Sequence, residues 1–335
     1  MKKIGIVLLC ILQCSCSGQT SKKINGVSFV ASRQEVKLAD VNELGNIYAN
    51  SAAVMPFGFI RDIDEPKIIF NTERQWFGER REGAKQYIEL LQANGISVML
   101  KPQLWISRGV FTGTLKMKNE TDWQELESSY RAFIITYAEL AEECKVALFC
   151  IGTELQQFVV NRPEYWAALI LEIKKVYKGK LTYASNWDEF DSVPFWKQMD
   201  YVGIDAYFPL SETKNPTVDE LVLGWQPWKI KIVRLSEEME RPVLFTEYGY
   251  RSMDFTAKKP WLVDRSDERP NMESQVNAKK AIFKVFWDEK WFAGGYVWKW
   301  FIDHHKAGGA DDNRFTPQGK PSLKIISEQY KKYGD

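Results

Sequence analysis

Phe245-Thr246-Glu247-Tyr248-Gly249-Tyr250 follows Pro242-Val243-Leu244, so an apolar run ends abruptly on a carboxylate flanked by aromatic residues. Ala147-Leu148-Phe149-Cys150-Ile151-Gly152-Thr153-Glu154 repeats the design upstream. Short runs rich in β-branched and aromatic residues read as buried strands. Each of these two delivers one glutamate at its C-terminal end.

Working outward, six more apolar runs have the same character, at 24–30, 52–60, 97–106, 181–187, 201–208 and 295–301. Between them lie stretches with apolar residues three and four apart, which predict helices over 81–93, 122–143, 164–177 and 273–288. A further helical stretch, 218–240, is expected to break in two at Gly224 and Pro227. Shorter helices are expected at 39–48 and 193–199, and 322–333 closes the chain. Pro163 and Pro321 suit helix starts, whereas Asn94-Gly95 and Lys178-Gly179 suit helix ends.

Eight strands alternating with eight helices predict a (β/α)₈ TIM barrel, an α/β fold forming a single domain over residues 21–335. Nearly continuous hydrophobic strands fit parallel strands covered by helices. The alternative, an open doubly wound sheet, carries a glycine-rich turn after its first strand, and Gly26 alone does not supply one.

Composition narrows the function. A net charge of +1 provides no electrostatic basis for nucleic-acid binding. The two histidines, His304 and His305, are adjacent, which argues against a zinc hydrolase; no metal or cofactor is expected. Cys144 and Cys150 are expected to be free thiols. Thirteen Trp and 14 Tyr offer the flat surfaces on which pyranose rings stack. The chain is expected to be a monomer.

Residues 1–20 read as a targeting segment: Lys2 and Lys3, a short apolar run from Ile4 to Leu12, then Cys14 and Cys16. This pattern resembles a bacterial lipoprotein signal. It implies export and a lipid anchor at Cys14, which has Ile11 at the favoured upstream position, or at Cys16, which follows the small Ser15.

Active sites of such barrels sit at the C-terminal rim of the strands. Read there, the strands end in Lys101, Gln103 and Trp105; Thr153 and Glu154; Asn186 and Trp187; Asp205 and Tyr207; Glu247; and Trp298 with Trp300. Carboxylates, amides and aromatics thus converge on one rim, which suits cleavage of a glycosidic bond. One carboxyl protonates the leaving oxygen while a second attacks the anomeric carbon or activates water.

A barrel with glutamates ending its fourth and seventh strands is similar to clan A of the glycoside hydrolases. Ile151-Gly152-Thr153-Glu154-Leu155, Phe245–Tyr250, Asn186-Trp187 and the strand bearing Trp298 and Trp300 most resemble glycoside hydrolase family 113. The resemblance implies a retaining β-1,4-mannanase with Glu154 as acid/base and Glu247 as nucleophile. The strand ends themselves make Lys101, Gln103, Trp105, Thr153, Asn186, Trp187, Asp205, Tyr207, Trp298 and Trp300 the candidate substrate contacts, with pairing to a carboxylate inside the mouth the other reading for Lys101 and support of the site the other for Asp205. Tyr207 is the residue expected to hydrogen-bond the nucleophile. Many clan A enzymes carry Asn where this chain has Thr153, so Asn186 is a candidate for the lost contact to the sugar 2-hydroxyl. Two other readings are a non-catalytic glycan-binding lipoprotein on a degenerate barrel, and an exo-acting mannosidase or other clan A β-glycanase.

Overall fold

The computed structural model describes residues 22–262 and 269–334. The expected targeting segment, with Cys14 and Cys16, lies outside them. Among the described residues ten strands and eight α-helices follow one another. They are β1 (Ile24–Phe29), α1 (Leu38–Asn46), β2 (Ser51–Val54), β3 (Phe57–Ile60), α2 (Arg81–Ala93), β4 (Ser97–Leu100) and β5 (Gln103–Ile106). Next come α3 (Glu120–Glu143), β6 (Leu148–Thr153), α4 (Gln156–Asn161), α5 (Pro163–Val176), β7 (Lys180–Asn186), β8 (Val202–Ala206) and α6 (Val218–Met239). β9 (Val243–Tyr248), α7 (Met272–Phe286), β10 (Phe292–Trp300) and α8 (Ser322–Tyr333) complete the series.

Eight of the strands close into a parallel barrel in the order β1-β10-β9-β8-β7-β6-β4-β2. The chain is a (β/α)₈ barrel. The two expected strands at 52–60 and 97–106 are each divided. β2 pairs with β4 in the barrel and β3 pairs with β5 above it, in one continuous register that sets Pro56 opposite Pro102. Neither proline has an N–H to donate, so the ladder lapses for both strands at the same level. Lys101 N donates to Val54 O at 2.8 Å and Gln103 N to Pro56 O at 2.9 Å on either side of the gap.

Two further expectations are corrected. The stretch 218–240 is one helix, α6, with Pro227 inside it. Gly224 does not break it: a Cβ there would lie 2.1 Å from Leu210 O, so this glycine lets the 208–211 segment pack against the helix. The expected helix at 193–199 is a single 3₁₀ turn, Trp196–Gln198. Its apolar residues Phe195 and Trp196 are anchors for the core, Trp196 also donating from Nε1 to Phe190 O at 2.7 Å.

Apolar residues occupy two layers. Outside the barrel, helix stripes such as Trp123, Leu126, Tyr130, Phe133, Ile134 and Tyr137 of α3 pack on the strands at helical spacing. Inside, Ala53, Met99, Leu148, Cys150, Ala184, Leu244 and Tyr296 form a small plug. Tyr296 fills the space left by Gly26, where a Cβ would stand 2.3 Å from its ring, and its hydroxyl meets Ser51 Oγ at 2.9 Å. The C-terminal half of the interior is different: Lys101, Asp205 and Glu247 occupy it. An apolar floor beneath an ionic layer therefore defines the direction in which the barrel opens. Cys144 and Cys150 are free thiols.

Closure depends on backbone contact between the first and last strands. Gly294 in β10 has φ +119, and a Cβ there would lie 2.2 Å from Ile24 O. Both the conformation and the space require glycine. Gly294→Ala is expected to destabilise the fold by about 2–4 kcal/mol; a denaturant melt indistinguishable from wild type would contradict this account of closure.

Candidate active site

β9 places Glu247 at the barrel mouth beside Asp205 of β8, its register partner. Lys101, just past β4, crosses the interior to both. Its Nζ lies 3.0 and 3.1 Å from the Asp205 carboxylate oxygens and 2.5 Å from Glu247 Oε1. Gln103 Nε2 donates to the same Glu247 oxygen at 2.9 Å, and the Tyr207 hydroxyl donates to Oε2 at 2.7 Å. Three donors from three segments thus fix the orientation of Glu247. Thr246, its neighbour in sequence, donates to Asp205 Oδ1 at 2.7 Å.

The charges do not balance. One ammonium serves two carboxylates in a region where Lys101 and Asp205 have no exposed surface and Glu247 retains 6%. Burial pulls the Lys101 ammonium down, but the charges of Asp205 and Glu247 more than offset it, and it stays above its ordinary value. For Asp205, burial and the Glu247 charge push the carboxyl up to about 7, against the opposing pull of Lys101 and Thr246. The excess negative charge belongs to the group as a whole.

Glu154 is aimed differently. It sits one residue beyond β6 with φ +50, and its N–H donates to Ala184 O at 2.8 Å. The next residue, Leu155, donates its N–H to the Tyr183 hydroxyl at 2.7 Å, while the Tyr130 hydroxyl donates to Ile151 O at 2.7 Å. Trp166 and Phe195 stack behind Tyr183, so aromatic packing holds the turn that turns Glu154 off the strand. Burial, then the charges of Asp205 and Glu247, hold the Glu154 carboxyl well above the usual range, against a smaller pull from Lys101. The result is one carboxyl with raised proton affinity beside an ionic group with negative excess. This asymmetry is what an acid and a nucleophile need.

The remaining expected residues divide. Asn186 is buried at the end of β7 and accepts from Trp187 N at 2.9 Å. Trp187 and Trp298 are half-buried at the rim, and Trp105 is 50% exposed beyond β5. Thr153 Oγ1 is enclosed without a hydrogen-bond partner. Lys101 and Asp205, expected as substrate contacts, are wholly enclosed; their contacts go to Glu247, to Thr246 and to each other. Trp300 likewise has no exposed surface and packs in the core although it lies two residues from Trp298, because the register of β10 against β1 shifts between the Val27 and Phe29 pairings and interrupts the alternation there.

Other residues at the rim carried weaker signals. Trp261 stacks on Trp187 with ring centroids 4.8 Å apart, from a loop with no strand to mark it. Phe315 packs edge-on against Tyr207 from far along the chain. Lys299 holds its ammonium over the rings of Trp298 and Phe301, and the Glu247 charge acts on it. Burial and Asp188 push Glu189 up to about 7, and its charge also reaches Glu154. Among the described residues no cluster of His, Cys, Asp and Glu suits a metal ion.

A family model, Glycoside Hydrolase Family 113, matches residues 30–320. The chain belongs to glycoside hydrolase family 113. It is a glycoside hydrolase, and its substrate is an oligosaccharide or polysaccharide. Among solved structures it is similar to the family 113 β-mannanase AaManA from Alicyclobacillus acidocaldarius in complex with ManMIm. The identity is 22%, 93% of this chain and 98% of that one are covered, and the TM-score is 0.81. A second family 113 structure, a β-1,4-mannanase, matches at 20% identity over 92% of this chain and 99% of that one, with a TM-score of 0.78. The fold extends to a Faecalibacterium prausnitzii β-glucuronidase, at 15% identity, over 93% of this chain and 49% of that one, with a TM-score of 0.62. No curated protein matches the chain.

If Lys101 holds two buried carboxylates, its removal leaves them uncompensated. Lys101→Met is expected to cost about 3–5 kcal/mol of stability at neutral pH. Asp205 already titrates upward in the fold, so the unfolded chain binds fewer protons than the folded one between the two pKa values. Without Lys101 that difference widens, so the deficit should be larger at pH 8 than at pH 5. Chemical denaturation at both values measures it; equal deficits would contradict the charge account.

Proposed function

We propose that this family 113 enzyme cleaves β-1,4-mannan by double displacement with retention of anomeric configuration. The observation that carries the reading is the asymmetry between the two glutamates. Glu247 is held by Lys101, Gln103 and Tyr207, whereas the proton affinity of Glu154 is raised by burial and by the negative charge of that same group. Solved relatives of the family that are β-mannanases support mannan as the substrate.

In the first step Glu247 attacks the anomeric carbon, and the bond to the leaving oxygen breaks as Glu154 transfers its proton to that oxygen. The new ester removes the Glu247 charge, which is one of the causes holding Glu154 up. Glu154 is then left as a carboxylate with a weaker proton affinity than before. In the second step it takes a proton from water as the water attacks the anomeric carbon, and Glu247 departs. The same electrostatic coupling thus serves acid and base in turn. Asn186 ends the strand adjacent to the one that delivers Glu154, where a sugar 2-hydroxyl would meet it, whereas Thr153 Oγ1 is enclosed. Trp187, Trp298 and Trp105 supply ring surfaces for the flanking sugars, and no metal or cofactor enters the reaction.

Purified protein acting on manno-oligosaccharides should release the β anomer first, as read by NMR. Glu247→Ala should lower turnover by roughly 10⁴-fold or more with the fold intact. Glu154→Ala should lose ~10²–10⁴-fold on natural linkages, yet lose little on an aryl mannoside whose leaving group needs no proton. Turnover on β-mannan that survives Glu247→Ala would reject the mechanism. Activity confined to glucan or xylan would reject the substrate.

Export with lipid attachment at Cys14 or Cys16 forms part of the same proposal, supported by the sequence pattern alone. Growth with an alkyne fatty acid should label the protein, and a label that persists after both cysteines are replaced by serine would refute it.

A further inference from the structure

We propose that a cavity on the rim beside β1 binds an acidic substituent of the glycan, a carboxylate or a sulfate ester on a sugar beyond the scissile bond. The inference rests on the glycan-hydrolase reading above. Arg33, Arg74 and Arg80 line this cavity of about 460 Å³ together with Glu35 and Trp76. Its volume is that of a small-molecule site.

The cavity belongs to the mouth side of the barrel. Val30 N donates to Trp300 O at 3.0 Å, so the segment carrying Arg33 leaves the barrel beside the strand that bears Trp298. The segment carrying Arg74 and Arg80 leaves the C-terminal end of β3. The two halves are locked together before any ligand arrives. Gly78 N donates to Ser32 O at 2.8 Å, and the Tyr87 hydroxyl donates to Gln34 O at 2.8 Å. The Gln86 amide bonds both the N–H and the carbonyl of Val36. Such preorganisation reduces the cost of ordering a site on binding.

The arginines are held but not neutralised. The Arg33 guanidinium lies over the Trp76 ring at 5.3 Å, and that of Arg80 over Phe77 at 5.8 Å. Stacking fixes the plane of a guanidinium and leaves its edge donors for an oxyanion in that plane. Arg80 Nε is enclosed and has no hydrogen-bond partner. Arg81, Arg131 and Arg162, by contrast, each have a glutamate at ion-pair distance, whereas Arg33, Arg74 and Arg80 have none among the described residues. Of the nearby carboxylates, Glu79 caps its own turn, accepting from Trp76 N at 2.9 Å, and feels the Arg33 charge without reaching ion-pair distance. Glu35 is the other, so three cations face two anions and the cavity keeps a positive excess. Arginine in this arrangement selects planar or trigonal oxyanions. Trp76, 43% exposed, adds a surface for the ring that carries the anion, which distinguishes a substituted sugar from a free ion.

The test uses the full chain carrying Glu247→Gln, so that binding is read without turnover. The probes are β-1,4-mannotetraose, β-1,4-mannuronate tetramer, 6-O-sulfated mannotetraose and sodium sulfate alone, followed by calorimetry at low salt. At least one acidic tetramer should bind about tenfold more tightly than the neutral one. Arg33→Ala combined with Arg74→Ala, both at exposed positions, should bring that ratio to about one. Which acidic tetramer is preferred tells carboxylate from sulfate. Equal affinities in the parent, a preference that survives the arginine changes, or binding of sodium sulfate alone would each overturn the inference. Wild-type protein that hydrolyses mannan without any acidic preference overturns only this inference. Protein that prefers acidic probes yet cleaves no β-mannan overturns the mannan reading instead.

Discussion

One buried ammonium shared by two carboxylates organises the mouth of this barrel. Taking Lys101, Asp205 and Glu247 out of water carries a desolvation cost of several kcal/mol per ion, which only close geometry offsets. That geometry exists because β4, β8 and β9 point the ends of three strands at one volume, and because Gln103, Tyr207 and Thr246 satisfy the oxygens that Lys101 leaves over. The apolar plug around Tyr296 below provides no alternative partner. The ionic layer has one position available to it, and Glu247 is part of it.

The shared cation also explains why two glutamates of one chain behave differently. Glu247 lies inside the charge network, whereas Glu154 stands beside it and feels its negative excess. No special group is needed to raise the proton affinity of Glu154; burial and an unbalanced neighbour suffice. Because the imbalance depends on the Glu247 charge, the proton affinity of Glu154 is tied to the state of its partner, and the proposed two-step mechanism rests on that coupling.

Paired prolines link the barrel to its rim. Pro56 and Pro102 face each other and interrupt the ladder at one level, so β3 and β5 rise above the barrel as a separate pair. Gln103 begins one of these strands and reaches back to Glu247, while Trp105 two residues later stands exposed. The segment after β3 then carries Arg74, Trp76 and Arg80 to the edge of the mouth. Extension of two strands past the ring thus supplies both a contact to Glu247 and a wall beside the mouth.

Much of this was legible in the sequence because its signals are local. Strand character, alternation with helices and a carboxylate at a strand end depend on neighbouring residues, and they are sufficient for the barrel, the family resemblance and the placement of Glu154 and Glu247 at the ends of two barrel strands. The side-chain roles were less legible. That Lys101 pairs with a carboxylate inside the mouth was legible, but which carboxylates it holds, and that it and Asp205 are wholly enclosed, depend on strand tilt and register. Trp300 read as a sugar platform and is core, because the register of β10 against β1 shifts just before it. Thr246, Trp261, Phe315 and Lys299 acquire their places only through contacts with distant segments. The sequence alone determined which strands carry the chemistry, since hydrophobic periodicity is written residue by residue. Only the tertiary structure decided how the charge is shared, since that depends on distances across the barrel interior which no local pattern encodes.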